Sequence, residues 1–173
     1  ITRLINNGHK KTIAVIDNYE ELDLLQEGIK GKFQIGIRIA SEEEPKFEFY
    51  TSRLGIGYKN ILPFYRKTVA ENQNVELKML HFFINTGIRD TAYYWNELSK
   101  CMKVYTSLKK ESPTLDSLNI GGGFPIKNSL AFDYDYAYMV DEIINQIKIA
   151  CDEAEVSVPN IFTEFGSFTV GES

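Results

Sequence analysis

Five short apolar runs, separated by amphipathic stretches, constrain this chain more than any other feature. Residues 12–17, 33–40, 77–84, 118–120 and 160–164 are short and rich in Ile, Val, Leu and Phe, and each reads as a buried strand. The stretches between them carry apolar residues at helical spacing. Asn18 can cap a first helix, with Glu21 three residues on and Leu22, Leu25 and Ile29 on its face; Gly31 stops it. A second helix is expected over residues 60–72, with Ile61, Tyr65 and Thr68/Val69 on one face. Asp90 opens a third, striped by Tyr94, Leu98, Cys101, Met102, Tyr105 and Leu108. A fourth carries Val140, Ile143, Ile144, Ile147, Cys151 and Ala154, and the run Phe132-Asp-Tyr-Asp-Tyr136 caps it.

Strands that alternate with helices pair in parallel through crossover connections. Near-continuous apolar strands imply that both faces of the sheet are covered. Two architectures meet these conditions, a doubly wound open sheet and part of a (β/α)₈ barrel. A complete barrel needs about 250 residues, so five strands in 173 residues correspond to the middle portion of one. No repeat, low-complexity tract or linker divides residues 1–173.

Composition removes several functions. The net charge of −5 lacks the basic footprint that nucleic acid requires. Two cysteines, Cys101 and Cys151, fall on helix packing faces with no CxxC spacing, which excludes a disulfide scaffold and a thiolate zinc site and fits a reducing, cytoplasmic setting. No apolar run reaches the roughly 18–20 residues of a membrane span, and no basic-then-apolar leader opens the chain. The chain starts at Ile1 and stops at Ser173 just after a strand-like run, as an internal segment of a longer protein would.

Sites in parallel α/β folds form at the carboxyl ends of strands. Three such ends stand out. Asn119-Ile-Gly-Gly-Gly-Phe-Pro125 places three glycines after a strand, where bare backbone amides can approach an anion, usually a phosphate. It is neither GxGxxG nor a nucleotide P-loop. Thr163-Glu-Phe-Gly-Ser167 offers a carboxylate, Glu164, able to pair with a protonated ring nitrogen, then amides and a hydroxyl at Gly166 and Ser167 able to hold phosphate. His81-Phe-Phe-Ile-Asn-Thr-Gly87 sets His81 and Phe83 on one strand face by period two; a hydrogen-bonded core role is the expectation for His81. His9, beside Lys10 and Lys11, reads as surface.

Taken in order, these motifs resemble the fold-type III pyridoxal-phosphate decarboxylases. Leu118-Asn-Ile-Gly-Gly-Gly-Phe-Pro125 resembles that family's glycine motif. Leu80-His-Phe-Phe-Ile-Asn-Thr-Gly-Ile88 is similar to the His-Phe-His-Leu-Gly-Ser-Gln-Ile strand of biosynthetic arginine decarboxylases, and Thr163-Glu-Phe-Gly-Ser167 to the later Glu-Ser/Pro-Gly-Arg motif. Val15-Ile-Asp-Asn-Tyr-Glu-Glu-Leu-Asp-Leu24, Ile35-Gly-Ile-Arg-Ile39 and Ser52-Arg-Leu-Gly-Ile56 extend the likeness over nearly the whole chain.

The resemblance implies the middle portion of an alanine-racemase-like (β/α)₈ barrel that holds pyridoxal 5′-phosphate. It implies phosphate contacts at Gly122, Gly123, Gly166, Ser167 and Thr86, ring stacking at Phe83, and a pyridine-nitrogen partner at Glu164. Two residues depart from the pattern. Phe83 replaces a stacked His and carries no proton, and Ser167 replaces an Arg and loses a bidentate cation. The family's cofactor-bearing Lys precedes this segment, and its catalytic Cys and substrate-binding Asp follow it across a dimer interface. The resemblance therefore implies that residues 1–173 turn over no substrate alone, and that flanking strands and a C-terminal β domain belong to a full-length homodimer or higher oligomer. The implied activity is decarboxylation of arginine to agmatine for polyamine synthesis. Ornithine, diaminopimelate and carboxynorspermidine are alternative substrates, and a non-catalytic relative acting by protein binding is an alternative of another class.

Overall fold

The computed structural model describes residues 1–41, 54–84, 87–126, 133–164 and 166. After a short helix α1 (Thr2–Asn6), the chain alternates β1 (Ile13–Ile16), α2 (Tyr19–Gly28), β2 (Phe33–Ala40), a two-residue β3 (Ile56–Gly57) and α3 (Tyr58–Phe64). Then follow β4 (Val75–His81), α4 (Ala92–Glu111), β5 (Ser117–Gly122), α5 (Tyr136–Glu153) and β6 (Asn160–Glu164). Every pairing is parallel, in the order β1-β2-β4-β5-β6, with β3 on the end of β2. The order never reverses, as a doubly wound sheet requires at its switch point. Right-handed crossovers that all step the same way put the helices on one face; α3 lies against α4, and α4 against α5. This is an arc of a barrel wall.

The core lies between that wall and its helices. Ile35, Ile37, Leu80 and Leu118 meet Leu22, Ile61, Leu98, Cys101, Tyr105 and Ile147, all essentially inaccessible. Both cysteines are buried here as free thiols, and burial raises both thiol pKa values. The one fully buried carboxylate on this side among the described residues is matched. Glu97, 1% exposed, accepts from Tyr58 Oη at 2.9 Å and from Lys100 Nζ at 2.9 Å, which ties α3 to α4.

Local chemistry sets the element ends. Asn18 Oδ1 accepts from the Glu21 amide at 3.0 Å, and Glu21 reaches back to the Asp17 amide at 2.6 Å. Asp135 caps α5 through the Tyr138 amide, as expected. The cap of α4 is Thr91 rather than Asp90, whose carboxylate instead accepts from Trp95 Nε1 at 2.7 Å. α2 ends at Gly28, three residues before the left-handed Gly31 (φ +97°). The expected helix over 60–72 is α3 followed by a π-helical turn, Tyr65–Val69. Pro63 supplies no amide inside α3, and the chain then widens to five-residue bonds such as Ala70 N to Tyr65 O.

One expectation fails on the concave face. Among the described residues, helices cover only one face of the sheet. Val15, Gly36 and Met79 form a row on the other, where a Cβ on Gly36 would stand 3.0 Å from Val15 Cγ2 and 3.3 Å from Met79 Cβ. Val15 is 37% exposed and Phe162 44%, and every residue of β6 is exposed. Val140, expected on the buried face of α5, is also exposed, while Met139 is buried in its stead. The acidic stretch Glu42, Glu43 and Glu44 lies outside the described residues.

Candidate functional site at the carboxyl strand ends

Register brings five polar residues into one row at the carboxyl ends. Arg38 pairs with His81, and His81 with Asn119. Asp17 follows β1 on the side of Arg38, and Glu164 ends β6 opposite Gly122. A bulge makes this row possible. Ile35 pairs with Leu77 but Gly36 pairs with Met79, so Lys78 is an extra residue in β4. Leu77 and Leu80 thereby both face the helices, and His81 faces the concave side. In ordinary register His81 would turn into the helix layer. The bulged Lys78 is fixed by an ion pair with Asp116, whose amide donates to the Lys78 carbonyl at 3.2 Å.

The row is a chain of close charges with few completed hydrogen bonds. Arg38 Nε lies 3.6 Å from Asp17 Oδ1. The Arg38 guanidinium carbon sits 5.4 Å from the centroid of the Phe83 ring, a cation–π distance. His81 Nε2 lies 3.5 Å from Glu164 Oε1. Asn119 Nδ2 donates to that same oxygen at 2.9 Å, and Asn119 Oδ1 accepts from the Gly121 amide at 2.8 Å. Asp17 Oδ1, Arg38 Nε and His81 Nε2 are buried without a hydrogen-bond partner among the described residues. Buried polar atoms are normally satisfied; this row sets its charges against one another without completing their hydrogen bonds. Burial pushes the His81 pKa below 6.5; Glu164 opposes that shift, Arg38 adds to it and Asp17 opposes it.

His81 therefore differs from its expected core role, because its Nε2 makes no hydrogen bond and faces Glu164. Phe83 lies beyond the end of β4, which stops at His81 rather than Ile84, yet its ring still borders the row through Arg38.

The triple glycine is required by packing as well as by any ligand. Gly121 (φ +72°) has Phe83 Cδ2 2.9 Å from where its Cβ would stand. A Cβ on Gly122 would run into the Glu164 carbonyl oxygen. Gly123 (φ +94°) abuts Gly87, and its carbonyl accepts from the Ile88 amide at 3.0 Å. Phe124, Tyr134 and Tyr136 pack their rings against one another, and Tyr134 Oη donates to Ile88 O at 2.9 Å. Of the expected site residues, Phe83, Gly122, Gly123 and Glu164 converge here. Gly166 is described as exposed, and Thr86 and Ser167 lie outside the described residues. Asp17, Arg38 and Asn119 were not singled out by sequence reasoning, although each is a lone polar residue in or ending an apolar run.

Residues 3–171 match the model of the pyridoxal-dependent decarboxylase, pyridoxal binding domain. The chain belongs to this family. Curated relatives of the decarboxylase domain include the biosynthetic arginine decarboxylase of Geobacter sp. (strain M21), 26% identical over 94% of this chain and 28% of that protein. Another, from Pelobacter propionicus, is 33% identical over 54% of this chain and 16% of that protein. The fold matches diaminopimelate decarboxylase from M. jannaschii in co-complex with L-lysine, with TM-score 0.77, 22% identity, and coverage of 96% of this chain and 41% of that one. It also matches the biosynthetic arginine decarboxylase of Campylobacter jejuni, with TM-score 0.66, 22% identity, and coverage of 97% and 30%. The decarboxylase domain thus spans well under half the length of these proteins.

The residues present fit the pyridoxal group of this family. An exposed carboxylate, an aromatic ring, a cation and a glycine turn stand together with three buried polar atoms that make no hydrogen bond among the described residues. Among the described residues no group of three or more His, Cys, Asp and Glu could hold a metal ion. No helix among them is long and apolar enough to cross a membrane.

Proposed function

We propose that this domain supplies the pyridine-nitrogen and phosphate walls of the cofactor site in an amino-acid decarboxylase, with arginine as its first substrate. The observation that carries the reading is Glu164, held by Asn119 at the end of β6 directly across from the glycine turn. Bound pyridoxal phosphate supplies an electron sink for the charge left when CO₂ departs. The chain's own residues set the conditions for that sink. Glu164 presents an acceptor to the ring nitrogen and keeps it protonated. Phe83 offers a flat apolar face, backed by Arg38. Gly122 and Gly123 line the phosphate end, to which the family resemblance also assigns Gly166, Thr86 and Ser167.

The lysine that carries the cofactor, the catalytic cysteine and the substrate-binding aspartate belong to other parts of a full-length, cytoplasmic homo-oligomer. Free buried cysteines fit that location. A second reading, a non-catalytic binding relative, is favoured by one observation, the phenyl ring of Phe83 where a protic ring would stand. Incubating the full-length protein with carboxyl-labelled arginine, ornithine, diaminopimelate and carboxynorspermidine separates these readings. Release of labelled CO₂ with agmatine as the main product is expected. A different main product removes the arginine assignment, and no release from any of the four supports the binding relative.

A further inference from the structure

Glu164 is half-exposed, and a free glutamate side chain at a strand end would sample several rotamers. Two neighbours restrict it from the same side. Asn119, on β5, donates to Oε1 at 2.9 Å, and its own oxygen is locked by the Gly121 amide. His81, on β4, brings an unpartnered Nε2 to 3.5 Å from that oxygen. Neither neighbour bonds Oε2. Phe83 cannot donate or accept a proton, so His81 is the one titratable ring bordering the row among the described residues.

We propose that His81 is a positioning residue that clamps Oε1 of Glu164 together with Asn119 and leaves Oε2 to face the ring nitrogen. This rests on the cofactor reading above. A neutral imidazole with its proton on Nε2 adds a second donor to Oε1 without adding charge. A protonated one forms a charge-assisted bond and draws the carboxylate's charge away from the ring nitrogen, so cofactor affinity falls on the acid side. The charged groups facing His81 are Glu164 from β6, Arg38 from β2 and Asp17 after β1; Asn119 from β5 is neutral. Burial, the largest influence on the ring, favours its neutral form.

The test titrates full-length protein with pyridoxal 5′-phosphate from about pH 5 to 8, the range in which imidazole charges. His81→Leu should weaken binding about tenfold at pH 7, and His81→Gln, a donor that does not titrate, should restore it to within about threefold. His81→Gln should also flatten the acid limb that the unaltered protein shows. Equal affinity in His81→Leu, or an acid limb that persists in His81→Gln, overturns the proposal; if His81→Leu fails to fold, the His81→Gln profile decides alone. Nitrogen-15 NMR of His81 in cofactor-free full-length protein separates this from failure of the cofactor reading. There the His81 pKa should drop in Glu164→Gln, which removes the anion that favours its charged form. An unchanged His81 titration refutes the pairing whether or not the protein binds pyridoxal phosphate.

Discussion

The helix side of the sheet and its carboxyl rim treat polar groups in opposite ways. On the helix side the buried Glu97 accepts from both Tyr58 and Lys100. The exceptions there, the hydroxyls of Tyr94 and Tyr105, are uncharged at neutral pH, and burial raises their pKa values further. On the rim, Asp17 Oδ1, Arg38 Nε and His81 Nε2 are buried atoms that face an opposite charge at 3.5–3.6 Å but make no hydrogen bond among the described residues. An ionisable atom left without a hydrogen bond costs more than a hydroxyl left without one. The difference assigns stability to one side of the sheet and ligand contact to the other.

That division can be broken by substitution. Leu80, fully buried on the helix side, belongs to the stability half. Leu80→Ala should cost about 3 kcal/mol in urea unfolding, while the fraction still folded keeps its affinity for pyridoxal phosphate. A parallel loss of affinity would show that the two sides are not separable. Gly121→Ala bridges them, since a methyl at φ +72° also presses on Phe83. It should cost about 1–2 kcal/mol and weaken cofactor binding together; a change in melting temperature alone would release Phe83 from the site.

Acid should act on the rim first. The folded His81 binds its proton less readily than the unfolded chain. Below its ordinary value of 6.5 the unfolded state therefore holds more protons, and stability falls as pH drops through and beneath that value. His81→Gln should remove this part of the pH dependence; an unaltered slope between the two proteins would place its origin elsewhere. The smallest effect expected is that of Asp17→Asn. The Asp17–Arg38 pair retains 29% and 18% side-chain exposure, so the loss should stay under about 1 kcal/mol. A larger loss in thermal unfolding would give the rim a structural role.

Much of the fold was legible because local rules and tertiary demands agree. The second and fifth strands lie at their expected limits, Phe33–Ala40 and Asn160–Glu164. Asn18 and Asp135 cap their helices as their types and positions suggest. The glycine turn and Glu164 were legible as strand-end chemistry. The polar row was not, because it depends on the bulge at Lys78, and a one-residue offset between strands leaves no trace in either run alone. Arg38 shows the same limit. Within Ile35-Gly-Ile-Arg-Ile39 it alternates onto the concave face, but so apolar a run reads as covered on both sides. The π-helical turn after Pro63 and the two-residue β3 fall below what periodicity can resolve.

The central claim is that Glu164 meets a protonated ring nitrogen at the end of β6. Pyridoxal 5′-phosphate carrying nitrogen-15 in its ring, bound to the full-length protein at neutral pH, reports this directly. The account predicts the chemical shift of a protonated pyridine in the unaltered protein and of an unprotonated one in Glu164→Gln. An unprotonated ring in the unaltered protein, or the same shift in both, would contradict it.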